Sequence, residues 1–78
     1  MTLRIISTED IVFQGEVKAV TLPGALGSFT VLPRHAALIS TLTAGVVAYT
    51  TADGGEHTAG IGGGLVDVEN DVISVCIY

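Results

Sequence analysis

The sequence predicts an all-β domain, an antiparallel sandwich or barrel, on three observations. Val, Ile and Thr recur along all 78 residues, and ten glycines punctuate them. No long stretch keeps the 3.6-residue apolar period of a helix. Turn signals separate the apolar runs at spacings of roughly 8–12 residues. A chain of 78 residues has room for one domain, spanning 1–78.

The elements follow in order. Thr2–Ser7 reads as a first strand and Thr8–Asp10 as a polar turn. A second apolar run extends from Ile11 to Leu22, with a kink expected at Gly15, because an isolated glycine inside a strand pattern marks a bulge. Pro23–Gly27 is turn chemistry, since Pro presets φ and Gly supplies positive φ. Phe29–Leu32 and Leu38–Leu42 are short strands, and Gly45 ends the second. Val46–Thr51 and Glu56–Ile61 flank Ala52–Gly55, where Asp followed by two glycines signals a hairpin. Leu65–Val68 and Val72–Ile77 flank Glu69–Asp71, a second hairpin.

Alternation within these runs shows which faces are apolar. Asp67 and Glu69 share one face of their strand, and Val66 and Val68 the other, the pattern of a half-buried strand. Val17–Leu22 and Val72–Ile77 differ, being apolar on both faces. A two-layer sandwich needs one apolar face per strand. Surplus apolar sheet area on so small a domain points to a partner that covers it, the alternative being cover by the chain's own loops, of which so short a chain has few to spare.

Composition narrows the function. Eight acids against Arg4, Lys18 and Arg34 give a net charge of −5. Phosphate backbones need clustered cations, so nucleic acid is not an expected partner. The same deficit argues against anionic lipid head groups and direct lipid insertion. The chain is 49% hydrophobic and 14% charged, but its longest uncharged stretch, Ala36–Ala52, is broken by Ser40, Thr41, Thr43, Gly45, Thr50 and Thr51. Nothing near Met1 resembles a signal peptide. One cysteine, Cys76, permits no internal disulfide and favours a reducing compartment.

Catalytic inventory is thin. His35 and His57 are the only histidines, and His35 has no nucleophile or orienting acid within its own motif, so it reads as a loop histidine hydrogen-bonded to backbone rather than a general base. One Cys and two His without ligand spacing do not make a zinc site. Asp67, Glu69 and Asp71 lack calcium-loop spacing and read as a solvated face and turn. Cys76, between Val75 and Ile77, reads as an inert core thiol. In Gly60–Gly64 the dinucleotide fingerprint fails, because Leu65 stands at its sixth position and a strand follows. Those glycines instead suit close approach by another backbone. No catalytic residue, metal or cofactor is expected.

Four segments in order carry a resemblance: Phe13–Val17 (FQGEV), Leu22–Ile39 (LPGALGSFTVLPRHAALI), Gly45, and Gly63–Val75 (GGLVDVENDVISV). Together they resemble the amino-terminal domain of the epsilon subunit of F-type ATP synthase. The resemblance implies a two-sheet antiparallel β-sandwich of about ten short strands. It implies a non-catalytic rotor subunit of the central stalk, joining the gamma subunit to the c-subunit ring and coupled indirectly to the alpha/beta catalytic head. The implied location is the cytoplasmic face of a bacterial inner membrane, peripherally. A free-standing sandwich binding a small ligand or carbohydrate is the alternative, and would need a cleft lined by Phe13, Phe29, Tyr49 or Tyr78.

Carried onto this chain, the resemblance implies a docking corner for ring and gamma at Gly27, Ser28, Phe29, Leu32, Pro33, Arg34 and His35. Pro33 would fix the chain direction, and Arg34 and His35 would offer donors to carbonyls or carboxylates. Phe29 and Leu32 fit core positions equally well. Gly62 and Gly63 would admit close approach of gamma. Three departures stand out. Relatives usually have Gly at the place of Arg34 and Pro at that of Ala37, and many carry an acidic or polar residue at that of Ser28. The family commonly continues into a helical hairpin, which a chain ending at Tyr78 does not contain. Inhibition of hydrolysis and ATP binding by that hairpin are therefore not expected of these residues.

Overall fold

A computed structural model describes all residues from Met1 to Tyr78. It contains eight strands: β1 (Thr2–Ser7), β2 (Ile11–Gly24), β3 (Gly27–Val31), β4 (Leu38–Leu42), β5 (Gly45–Thr51), β6 (Glu56–Ile61), β7 (Gly64–Glu69) and β8 (Val72–Ile77). The all-β expectation holds. The strands number eight where the resemblance implied about ten, and one pairing, β1 with β8, is parallel. The remaining pairings are antiparallel.

β2 builds both layers. Its first half pairs with β1, and the layer continues through β8 and β7 to β4. Its second half pairs with β5 on one edge and β3 on the other, and β6 extends that layer beyond β5. A single bridge between Gly24 and Leu42 returns β4 to β2. Strands that switch layers turn the corner at bulges. Here the bulge falls between Val17 and Ala19, leaving Lys18 as the extra residue.

That bulge explains why Val17–Leu22 looks apolar on both faces. One inserted residue shifts the side-chain alternation by one. Phe13, Gly15 and Val17 point inward before it; Val20, Leu22 and Gly24 point inward after it, and Val17, Val20 and Leu22 are buried. This part of the apparent surplus needs no partner. The kink is therefore at Lys18 rather than Gly15. Gly15 stays in register opposite Leu3, and a Cβ there would meet the Phe13 ring at 3.1 Å.

Thirteen buried aliphatic side chains, drawn from all eight strands, form one core between the layers. No buried polar or charged residue interrupts it. Phe13, Phe29, Tyr49 and Met1 close its margins. Cys76 corrects the sequence reading: it is exposed. Ile73 and Val75 take the inward positions of β8, so Val72, Ser74 and Cys76 face out.

The turns follow their residues. Asn70 and Asp71 both have positive φ, 51° and 64°, as a two-residue I′ hairpin requires. The loop after β2 is shorter than expected, because Pro23 and Gly24 stay in the strand, opposite Ser28 and Gly27. Pro23 has no N–H to offer, but its carbonyl accepts the Thr43 N–H at 2.9 Å. Gly24 leaves space that Phe29 fills; a Cβ there would lie 2.8 Å from its ring.

Candidate docking site

The residues from Leu32 to His35 form a tight exposed turn after β3. The His35 N–H donates to the Leu32 carbonyl at 3.2 Å. Its Nδ1 lies 2.7 Å from the Ala36 carbonyl, so the ring is held to its own backbone. Arg34 sits at φ 66°, in the left-handed region that favours glycine. Its backbone N–H donates to Asp71 Oδ1 at 2.9 Å. The other oxygen of Asp71 lies 3.6 Å from the Met1 amino group, which is also 3.4 Å from Glu16. The Asp71 carboxyl is held below the usual carboxylate range, first by the Arg34 N–H, with desolvation as the next-largest influence opposing it and the Met1 amino group and the Arg34 charge adding smaller lowering contributions.

The seven expected docking residues do not form one corner. Gly27 and Ser28 begin β3 beside the exposed Ala25–Leu26 turn, whereas Leu32, Pro33, Arg34 and His35 follow its far end. At about 3.4 Å per residue, β3 holds the two groups more than ~12 Å apart. Phe29, between them, packs against the core. Leu32 is 56% exposed and belongs to the surface turn.

Gly62 and Gly63 neighbour the first group through the row Gly24–Leu42–Gly64–Ile77. What approaches them closely is this chain's own Tyr78. The Gly62 N–H donates to the Tyr78 carbonyl at 3.0 Å, and the Tyr78 N–H donates to the Gly63 carbonyl at 3.2 Å. A Cβ on Gly63 would lie 3.0 Å from the Tyr78 hydroxyl. The loops that meet here, 23–28, 41–46 and 60–65, contain no charged side chain. Charge gathers instead around the turn after β3, with Glu16, Asp71, Arg34 and the Met1 amino group.

Outward apolar side chains form a row across one layer. Thr41, Leu65, Cys76 and Ile6 are successive register partners on β4, β7, β8 and β1. Ile39, 70% exposed, lies one diagonal step away. The aromatic rings are engaged within the fold: Phe13 and Tyr49 lie 4.5 Å apart, Tyr49 stacks with His57 at 5.5 Å, and Phe29 covers Gly24. Sequence reasoning missed Asp71 as the support of the Arg34 turn. The Asn-Asp hairpin was legible, but a bond spanning 37 positions has no local signal.

Fold and surface together define a small β-sandwich domain with an outward apolar row and two separated exposed loop groups. The family described as "ATP synthase, Delta/Epsilon chain, beta-sandwich domain" matches residues 1–77, and the chain belongs to that family. An ATP synthase epsilon chain from Sulfurovum sp. is 44% identical over 71 residues, covering 91% of this chain and 56% of the relative. Another, from Bordetella petrii, is 41% identical over 91% of this chain and 50% of its own length. The chain thus spans about half the length of the curated relatives it matches. Among solved structures, a chain of the Euglena gracilis mitochondrial ATP synthase (OSCP/F1/c-ring) superposes with a TM-score of 0.90 at 22% identity, over 96% of this chain and 48% of that one. A chain of the Tetrahymena thermophila mitochondrial ATP synthase central stalk and c-ring gives 0.81 at 14% identity, over 100% of this chain and 63% of that one. These two likenesses concern the fold.

Proposed function

We propose that this chain is a non-catalytic part of the central stalk of an F-type ATP synthase, joining the gamma subunit to the c-subunit ring. The observation that carries the reading is family membership along residues 1–77, in register with relatives named as epsilon chains. The mechanism is mechanical. Close-packed β layers around an all-aliphatic core resist deformation, so torque passes through them without slip.

The separation along β3 supports two contacts rather than one. The uncharged loop group with Gly27 and Ser28, together with Gly62 and Gly63, suits approach to ring loops above an anionic bilayer. The acidic surroundings of Arg34 do not, so Leu32, Pro33, Arg34 and His35 are assigned to the gamma subunit. Phe29 supports both groups from the core. The location that follows is the cytoplasmic face of a bacterial inner membrane, held there by the complex; all of the relatives described above as epsilon chains are bacterial.

Size-exclusion chromatography with purified gamma subunit tests the reading. Co-elution is the expected result. A chain that elutes alone at micromolar concentrations of both proteins contradicts it.

A further inference from the structure

We propose that β6 is a pairing edge through which two copies of this chain associate in solution, antiparallel and centred on Thr58. β6 ends its layer and pairs only with β5. The Thr51 N–H donates to the Gly55 carbonyl at 2.8 Å, which makes those two residues a hydrogen-bonded pair. Bonded and non-bonded pairs alternate along an antiparallel ladder, and the register from Thr50–Glu56 to Gly45–Ile61 is unbroken. His57, Ala59 and Ile61 therefore bond to β5. Glu56, Thr58 and Gly60 turn their N–H and C=O groups to the open edge, where no loop or side chain takes them up. All three residues are exposed.

Sheet edges are commonly blunted by lysine, proline or a bulge, and β6 has none of these. The other candidate edges offer less. β3 is shorter, and at β4 the Thr41 carbonyl already accepts the Ala25 N–H at 2.9 Å. The register selects the occupant. A second copy of β6, related by a two-fold axis at Thr58, sets Thr58 against Thr58 and each Glu56 against Gly60 of the other copy. Every outward N–H and C=O of Glu56, Thr58 and Gly60 then has a partner. Threonine meets threonine in a favourable cross-strand pair, and the two Glu56 carboxylates stay apart. An axis at Glu56 would oppose two carboxylates, and an axis at Gly60 would leave the Glu56 groups unpaired.

Sedimentation velocity on the purified chain, from about 0.01 to about 1 mM, tests the pairing, because an interface of one strand edge is weak. Monomer at the low end and dimer at the high end are expected. Salt should favour the dimer by screening the repulsion between two chains of charge −5. Position 60 tests the register, since a Cβ there meets nothing within 4 Å of its own chain. Gly60→Lys, facing Glu56 twice per dimer, is expected to tighten association about fivefold, and Gly60→Glu to weaken it about fivefold. Glu9→Gln changes the net charge as much as Gly60→Lys does, but in the turn before β2, and is expected to shift association by less than about twofold. A chain that stays monomeric to about 1 mM overturns the pairing. A dimer in which the two Gly60 variants behave alike, or in which Glu9→Gln matches Gly60→Lys, overturns its placement on β6. A monomer whose Thr58 and Gly60 amides gain protection from hydrogen exchange only when gamma subunit is added gives the edge to a strand of that subunit and overturns the second copy.

Discussion

Asp71 Oδ1 accepts the backbone N–H of Arg34 at 2.9 Å, so the β7–β8 hairpin holds up the turn that follows β3. The same carboxylate faces the Met1 amino group, and three chain segments meet on one side chain. Asp71 takes this position because the I′ hairpin places it at φ 64°, a conformation that Asn and Asp tolerate.

Acid should weaken this junction. The folded carboxyl of Asp71 titrates below its ordinary value. Asp53 does likewise, held first by the Thr51 hydroxyl and then by the Gly55 N–H. A depressed folded pKa contributes stability that is complete above the unfolded value of about 3.9 and is lost as pH falls through the folded one. Stability is therefore expected to fall below about pH 4. Urea titrations at a series of pH values check it: Asp71→Asn should lose part of the acid dependence, with Asp53 supplying the remainder.

Relief of strain at position 34 should be visible in stability. Left-handed backbone costs a non-glycine residue about 1–2 kcal/mol, and glycine's extra unfolded entropy offsets about 0.5–1 of that. Arg34→Gly is expected to raise the free energy of unfolding by up to about 1 kcal/mol, since the bond to Asp71 uses the backbone. Urea midpoints of the two proteins provide the measurement, and a lower midpoint for the glycine variant contradicts this account of the turn.

Core and surface leucines should separate sharply. Leu22 is fully buried, whereas Leu32 is mostly exposed. Leu22→Ala is expected to cost about 2–5 kcal/mol, enough to unfold much of so small a domain at 37 °C. Leu32→Ser should change stability by less than about 0.5 kcal/mol. Thermal melts of both variants decide whether Leu32 belongs to the surface.

Two glycines only four positions apart should respond oppositely. A Cβ on Gly64 would fall 2.1 Å from the Cys76 carbonyl, in a strand pairing that has no slack. At Gly60 it would meet nothing within 4 Å. Gly64→Ala is expected to destabilise by more than about 2 kcal/mol, and Gly60→Ala to be tolerated or slightly stabilising. Circular dichroism melts distinguish the two.

Cys76 should react in the native protein. It is exposed between Leu65 and Ile6 in the outward row, so a thiol reagent is expected to label it fully without denaturant. Slow labelling that needs urea would return it to the core.

Local patterns made most of the fold legible. Alternation in β7 placed Val66 and Val68 inside, and the Asp-Gly and Asn-Asp turns located two hairpins. Three features escaped for physical reasons. The bulge at Lys18 has no glycine to announce it, so the apolar parity of β2 looked two-faced. Pro23 extended a strand because its carbonyl, rather than an N–H, makes the tertiary bond. The resemblance implied a single corner from Gly27 to His35, but an extended β3 carries Ser28 and Arg34 apart. The support of Arg34 by Asp71, and the filling of the Gly62–Gly63 space by Tyr78, are long-range facts that no local motif encodes.

Crosslinking in an assembled ATP synthase tests the central claim most directly. Photoreactive groups placed at Ser28 and at His35 should give adducts with different subunits, the first with the c-ring and the second with gamma. Adducts from both positions to one and the same subunit, or none from either, would contradict a domain that bridges shaft and ring.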